Sequence, residues 1–171
     1  MEVQQAIRER FSDRSFSPRP IEPEKMEKIL EAVRCAPSAC NYRPERVYVL
    51  QSAAALEKAN AICKSLYGAP AVLLLCYDRE AACRRPWTND TFGELDATIA
   101  GDEIVLAAWE QGIGSCWVGA FDPRQAKEVF ALPQSVMPIA MLPMGYAQEG
   151  CVPLARLHGV SAPLETMVQY L

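Results

Sequence analysis

Arg10, Ser12 and Arg14 alternate along a short segment that runs into turn-forming residues. On an extended backbone this spacing puts two guanidinium groups and a hydroxyl on one face. Such a face suits a phosphate, because arginine is permanently charged and offers paired donors to the anion's oxygens. A solvated basic turn is the competing reading, and Arg8 and Arg19 nearby support it. A second stretch, Cys35 to Pro44 (C-A-P-S-A-C-N-Y-R-P), sets Pro37 and the small Ser38, Ala39 and Cys40 before Asn41. Here the backbone can lie close to a flat ligand. The Asn41 amide can donate to and accept from one planar group, as the edge of a pyrimidine-like ring requires. An ordinary helix-to-strand loop accounts for the same residues equally well. The third stretch is Gly112 to Ala120 (G-I-G-S-C-W-V-G-A). Its glycine pair is no dinucleotide loop, because the order here is helix, glycines, strand, and that fingerprint needs the reverse. Gly119 permits close backbone approach, while Trp117 also fits a core position.

The elements around these stretches follow from periodicity. Val3, Ala6 and Ile7 share one face of a helix over 3–10, and Phe11 to Pro20 is irregular. A second helix starts near Pro23, buries Met26, Ile29, Leu30 and Val33, and stops before Pro37. Val47 to Leu50 is a strand. A third helix starts at Ser52, carries Leu56, Ala59, Cys63 and Leu66, and ends at Gly68 and Pro70. The unbroken apolar run Ala71 to Tyr77 predicts a strand covered on both faces. Asp78 to Gly93 is a polar excursion near a site. Leu95 to Gln111 is a helix apolar on more than one face, ended by Gly112, so part of it needs cover from the core or a second subunit. Cys116 to Phe121 is a strand, Asp122-Pro123 opens a helix through Phe130, and Val136 to Leu142 is a strand that Pro138 demotes to an edge or a bulge. In the weakly periodic tail, Leu164, Met167, Val168 and Leu171 fall at helical spacing. The pattern predicts an α+β sandwich in one domain over residues 1–171.

Bulk properties narrow the function. A chain of 171 residues can bury a full core. A net charge of −4 and a pI near 5.1 argue against nucleic acid or an anionic membrane surface as partner. No apolar run approaches the ~20 residues of a membrane span, and Met1 to Gln5 shows no signal segment. Seven cysteines without a C-x-x-C pair read as reduced thiols of a cytoplasmic protein. With His158 the only histidine, no metal site is expected.

Together, R-F-S-D-R, A-P-S-A-C-N-Y-R-P and G-I-G-S-C-W-V-G resemble the nitroreductase family of FMN-dependent, NAD(P)H-using oxidoreductases. The resemblance implies a central mixed β-sheet flanked by helices, in an intertwined homodimer. It also implies that Arg10, Phe11 and Ser12 lie at the FMN phosphate and ribityl chain, with Arg14 near the pyrimidine end of the ring. Pro37, Ser38, Ala39, Cys40 and Asn41 would border the flavin from the opposite chain. Trp117 and Val118 would run along it, with the N–H groups of Gly119 and Ala120 aimed at N5 and the adjacent carbonyl. This sequence departs from the family at Phe11, often basic or polar there, at Arg43, often Gln, and at Glu45, often Trp. The Lys/Arg pair usual before a P-L-E-like run is missing ahead of Pro163-Leu164-Glu165, where Arg156 or His158 could substitute. The implied activity is hydride transfer from NAD(P)H through flavin N5 to an electron-poor small molecule, such as a nitroaromatic, a quinone or an activated alkene. No side chain acts as a nucleophile. A flavin sensor or store, a dehalogenase and a flavin-cleaving enzyme are the alternatives.

Overall fold

The computed structural model describes residues 1–152 and 162–171. Its centre is β2, Ala71–Asp78, whose first six residues are all buried. Side chains alternate across a strand, so Val72, Leu74 and Cys76 enter one core with Phe16, Leu50, Ala59 and Met141. Ala71 and Leu73 enter another, with Met26, Ile29, Ile104, Val105 and Leu142. The absence of alternation in this strand therefore reflects cover on both faces, as expected.

Helix α1 is Val3–Glu9, and α2, Pro23–Cys35, opens with proline and stops before Pro37. Strand β1 is Glu45–Leu50, α3 is Ala53–Ile62, and α4 is Gly93–Glu110. Strand β3 is Gly114–Ser115, α5 is Pro123–Val129, β4 is Val136–Gly145, and α6 is the single turn Leu164–Met167. The sheet order is β1-β2-β4-β3 with antiparallel neighbours. The expected mixed character is confined to one parallel bridge, Ser12 to Ser115. One core lies between the sheet and α3, with Phe130 just past α5; the other lies under α2 and α4.

Five expectations need correction. The third helix ends at Ile62, because Cys63 turns extended at φ −140° and ψ 120°. Cys63 and Leu66 are buried nonetheless. The strand expected over 116–121 begins earlier and is only two residues long. Its register runs on, since Gly114 faces Gly145, Ser115 faces Met144 and Val118 faces Met141. The Cys116 N–H donates to the Pro143 carbonyl, but proline has no N–H to return, so the ladder loses a rung there. Strand β4 is interior rather than an edge. Pro138 is accommodated where the register slips, with Leu75 facing Ala140 and Cys76 facing Pro138. On α1, Ala6 alone is buried, while Val3 and Ile7 face outward. Finally, Val168 is extended after one helical turn, so Leu164 to Leu171 form no continuous helical face, and their apolar side chains are exposed.

Candidate functional site

The segment after α1 is held as an added edge of the sheet. Ser12 bridges Ser115, the Asp13 N–H donates to the Ser115 carbonyl, and Phe16 bridges Ala147. Phe11 meets Trp109 of α4 edge-on, with ring centroids 5.5 Å apart. Asp13 between the arginines turns inward and is buried. Burial pushes its carboxyl up from the ordinary range, and a hydrogen bond from the Cys151 thiol, at 3.2 Å, pulls it part of the way back. Gly114 makes room for it, since a Cβ there would lie 1.8 Å from Asp13 Oδ2.

With Asp13 turned away, Arg10, Ser12 and Arg14 gather about Cys116. Burial raises the Cys116 thiol, while the charges of Arg14 and Arg10 and a hydrogen bond with Ser12 oppose the shift. Arg14 Nη1 donates to the Ser12 carbonyl at 3.1 Å. Among the described residues, neither guanidinium forms an ion pair with a carboxylate. A hydroxyl and two cations without an anion on one face make a ready anion site.

Downstream on the same ladder, Trp117 is half-buried in the α4 side of the core. A Cβ on Gly101 would meet its ring at 2.5 Å, so that glycine in α4 exists to admit the indole. Val118 is buried, but Gly119 and Ala120 are exposed, and nothing lies within 4 Å of a Cβ at Gly119. Neither of their N–H groups donates to an acceptor among the described residues.

The loop after α2 is a different construction. Ala36 is buried, Ala39–Asn41 form one 3₁₀ turn, and Cys40, Asn41 and Arg43 all take positive φ, from 53° to 57°. Left-handed conformations cost a residue with a side chain about 1–2 kcal/mol, less for asparagine. The loop is held in them by three bonds. The Ala39 N–H donates to Asp96 Oδ1 at 2.9 Å, Arg43 Nη1 donates to the Ala36 carbonyl, and the Arg43 N–H donates to Ser38 Oγ at 3.1 Å. The Asn41 amide has no hydrogen-bond partner among the described residues and faces solvent. Asp96 and Arg43 were not foreseen as loop anchors. The available signal was a lone carboxylate inside the apolar run Leu95-Asp96-Ala97, where a buried charge must have a use.

The sequence motifs therefore fall into two groups. Arg10 to Arg14 and the 114–120 strand come together at the end of the sheet where Ser115 faces Met144. The Pro37 to Asn41 loop lies at the opposite end, where Glu45 faces Tyr77 and Tyr77 faces Met137. Helix α4 measures the separation, because Asp96 holds the loop and Trp109 touches Phe11 thirteen residues on, about 20 Å of helix at 1.5 Å per residue. Arg156 and His158 lie outside the described residues. Among the described residues no group of three or more metal-ligating side chains exists, and no helix is long and apolar enough to cross a membrane.

The loop rests on a second buried carboxylate. Burial, followed by the nearby Asp96 charge, raises the Glu45 carboxyl above its ordinary value of 4.5. Glu45 Oε1 and Asp96 Oδ2 are both buried without a hydrogen-bond partner. A raised carboxyl holds its proton more tightly folded than unfolded. Its contribution is therefore full below the ordinary value and is lost as pH rises through the raised one. Glu45→Gln is accordingly expected to stabilise the protein at neutral pH, with the gain vanishing towards about pH 4. Urea midpoints of both proteins at the two pH values measure this, and a gain that grows on acidification would refute it.

Comparison with known proteins gives the chain a family. The family model described as the nitroreductase family matches residues 7–67 and 57–146. A protein of Methanothermobacter thermautotrophicus, provisionally named NADH dehydrogenase/NAD(P)H nitroreductase, is 32% identical over 158 residues, 87% of this chain and 79% of its own. A Bacillus subtilis protein named FMN reductase [NAD(P)H] is 28% identical over 91% of this chain and 70% of its own. The crystal structure of a nitroreductase family protein from Clostridium difficile 630 superposes with a TM-score of 0.93 at 32% identity, covering 99% of this chain and 98% of that one. A phosphate-suited face at one end of the sheet and a pinned, left-handed loop at the other thus occur in a chain whose sequence and fold match the same relatives: the protein belongs to the nitroreductase family.

Proposed function

We propose that this protein is a cytoplasmic, homodimeric FMN-dependent oxidoreductase that takes hydride from NADH or NADPH and passes it to an electron-poor small molecule. The observation that carries this reading is a set of donors: among the described residues the Arg10 guanidinium, the Asn41 amide and the N–H groups of Gly119 and Ala120 have no protein partner, and Arg14 gives only Nη1 to the Ser12 carbonyl and pairs with no carboxylate. Their chemistry fits a ligand with a phosphate at one end and a hydrogen-bonding planar ring at the other. Bound FMN supplies the two-electron redox chemistry. The protein's part is to bind, orient and polarise.

In this reading Arg10 and Ser12 hold the phosphate and ribityl chain, and Phe11 is fixed on Trp109 so that its neighbours face outward. Arg14 sets a positive charge near the pyrimidine end of the ring, which favours added electrons there. Gly119 and Ala120 present backbone donors where a side chain would obstruct. Pro37 to Asn41 cover the ring from a second chain, since within one chain that loop and the phosphate face are separated by most of α4. Leu95 on α4, together with Val3 and Ile7 on α1, forms exposed apolar surface for that partner to cover. All seven cysteines are free thiols, in keeping with a reducing compartment.

The purified protein should be yellow, release FMN rather than FAD on denaturation, and bleach rapidly when NADH or NADPH is added without oxygen. A colourless protein that takes up no added FMN overturns the reading. A yellow protein that reduced nicotinamides bleach only slowly would be a binder and not an enzyme. Mixing impaired Arg10→Ala and Asn41→Ala chains should restore about one intact site per mixed dimer if two chains build each site. No recovery in verified mixed dimers would refute the shared site.

A further inference from the structure

Two cysteines far apart in sequence are brought into contact. The Cys83 and Cys40 sulfurs are 3.3 Å apart, although the residues stand 43 positions apart in the chain. Cys40 is exposed at the tip of the pinned 36–44 loop, while Cys83 is half-buried in the 79–92 excursion. Both flanks are braced. Ala39, next to Cys40, is bonded to Asp96. The Phe92 N–H donates to the Cys83 carbonyl, and Arg84 bridges Thr91. The other cysteines are placed differently: Cys63, Cys76 and Cys116 are buried, Cys35 lies beside Glu31, and Cys151 donates to Asp13.

We propose that Cys40 and Cys83 are a redox-active dithiol which closes, by exchange with a low-molecular-weight disulfide, into a bond stapling the 36–44 loop to the 79–92 loop. A disulfide needs about 2.05 Å between sulfurs, so these two must approach by about 1.3 Å. Two loops can supply that movement without disturbing the sheet. Exchange begins at the exposed sulfur. The Cys40 thiolate attacks one sulfur of the small disulfide, forming a mixed disulfide and expelling the first small thiol. Cys83, having given up its proton, then attacks the Cys40 sulfur and expels the second. Two protein thiols lose two electrons and two protons in all, and one small disulfide gains both and leaves as two thiols. The hydrogen bond with Cys40, then burial and the charges of Cys40 and Asp96, raise the Cys83 thiol. This disfavours Cys83 as the sulfur that starts the exchange, and the share owed to Cys40 lapses once Cys40 is in the mixed disulfide.

The bond would act on one wall of a surface cavity. The 79–92 loop walls a cavity of about 700 Å³ lined by Tyr77, Arg85, Asp90, Thr91 and Glu94 among others. Trp87 projects from it, 91% exposed. Stapling this wall to the loop that carries Asn41 restrains both loops and with them the opening of that cavity. Formation of the bond is independent of the flavin reading, which bears only on what the opening admits.

The test treats the holoprotein with oxidised glutathione, blocks remaining thiols, and maps the tryptic peptides by mass. The Cys35→Ser variant is run alongside, because Cys35 and Cys40 share a tryptic peptide. The expected result is a peptide carrying Cys40 joined to one carrying Cys83, retained in Cys35→Ser, absent in Cys83→Ser and reversed by dithiothreitol. Hydrogen exchange across residues 79–92 should slow by about fivefold or more in the oxidised wild type and stay unchanged in Cys83→Ser. Separate glutathione adducts without the joined peptide, a joined peptide lost in Cys35→Ser, or a joined peptide with unchanged exchange would each overturn the proposal. Flavin content, read by absorbance on the same samples, reports separately on the proposed function.

Discussion

Arg10→Ala is expected to weaken FMN binding by about 1.5–3 kcal/mol, the contribution of a hydrogen bond to a charged group, or roughly tenfold to a hundredfold in Kd. The size rests on the local geometry. Arg10 shares a face with Ser12 and Arg14 beside Cys116, and Asp13 is turned into the core instead of neutralising it. No described carboxylate competes with a phosphate for this guanidinium. Arg14→Ala should behave differently, lowering the flavin's reduction potential more than its affinity, because its charge acts on the ring's added electrons. Fluorescence titration of the apoprotein and a redox titration of the holoprotein separate the two effects. If both substitutions altered affinity alone and equally, the roles given to the two arginines would be wrong.

The second large effect is expected at Gly114→Ala. The new Cβ would sit 1.8 Å from Asp13 Oδ2 and 2.7 Å from its carboxyl carbon. Asp13 is buried and bonded to Cys151, and its own N–H holds the Ser115 carbonyl. It can yield only by dragging the Arg10–Arg14 segment off the sheet or by breaking those bonds. Overpacking of this kind costs about 1–3 kcal/mol, and here FMN affinity should fall with stability, since the same segment carries the phosphate face. Urea unfolding and FMN titration of Gly114→Ala, Asp13→Ala and the double variant test the coupling. The double variant should recover much of the stability lost to the clash. Additive losses would show that Asp13 is not the obstacle.

Much of the fold could be read from residue types because the deciding physics was local. The prolines at 23 and 37 bracket α2, the unbroken apolar run 71–77 announces a strand covered on both faces, and Gly112 follows the end of α4. Where the reading failed, a distant partner decided. The 116–121 strand was shortened by Pro143, a residue with no N–H to return across the ladder. Pro138 did not exclude β4 from the interior, because the register slips opposite it. Val3 and Ile7 lie outward although their spacing with Ala6 is helical, since periodicity identifies a face without saying what will cover it.

The candidate site divides in the same way. Sequence by itself determined which groups can bind: the alternating Arg10, Ser12 and Arg14, the small residues before Asn41, and the glycine before Ala120 are properties of type and spacing. Tertiary structure alone decided what each group is held by and how far apart they stand. Burial of Asp13 frees the two arginines, and Asp96 and Arg43 pin a loop in left-handed conformations. Helix α4 separates that loop from the phosphate face, and Cys40 meets Cys83 across 43 positions. The physical reason is range. Donor chemistry and periodicity act over a few residues, whereas burial, separation and long-range contact exist only once the sheet and α4 have packed.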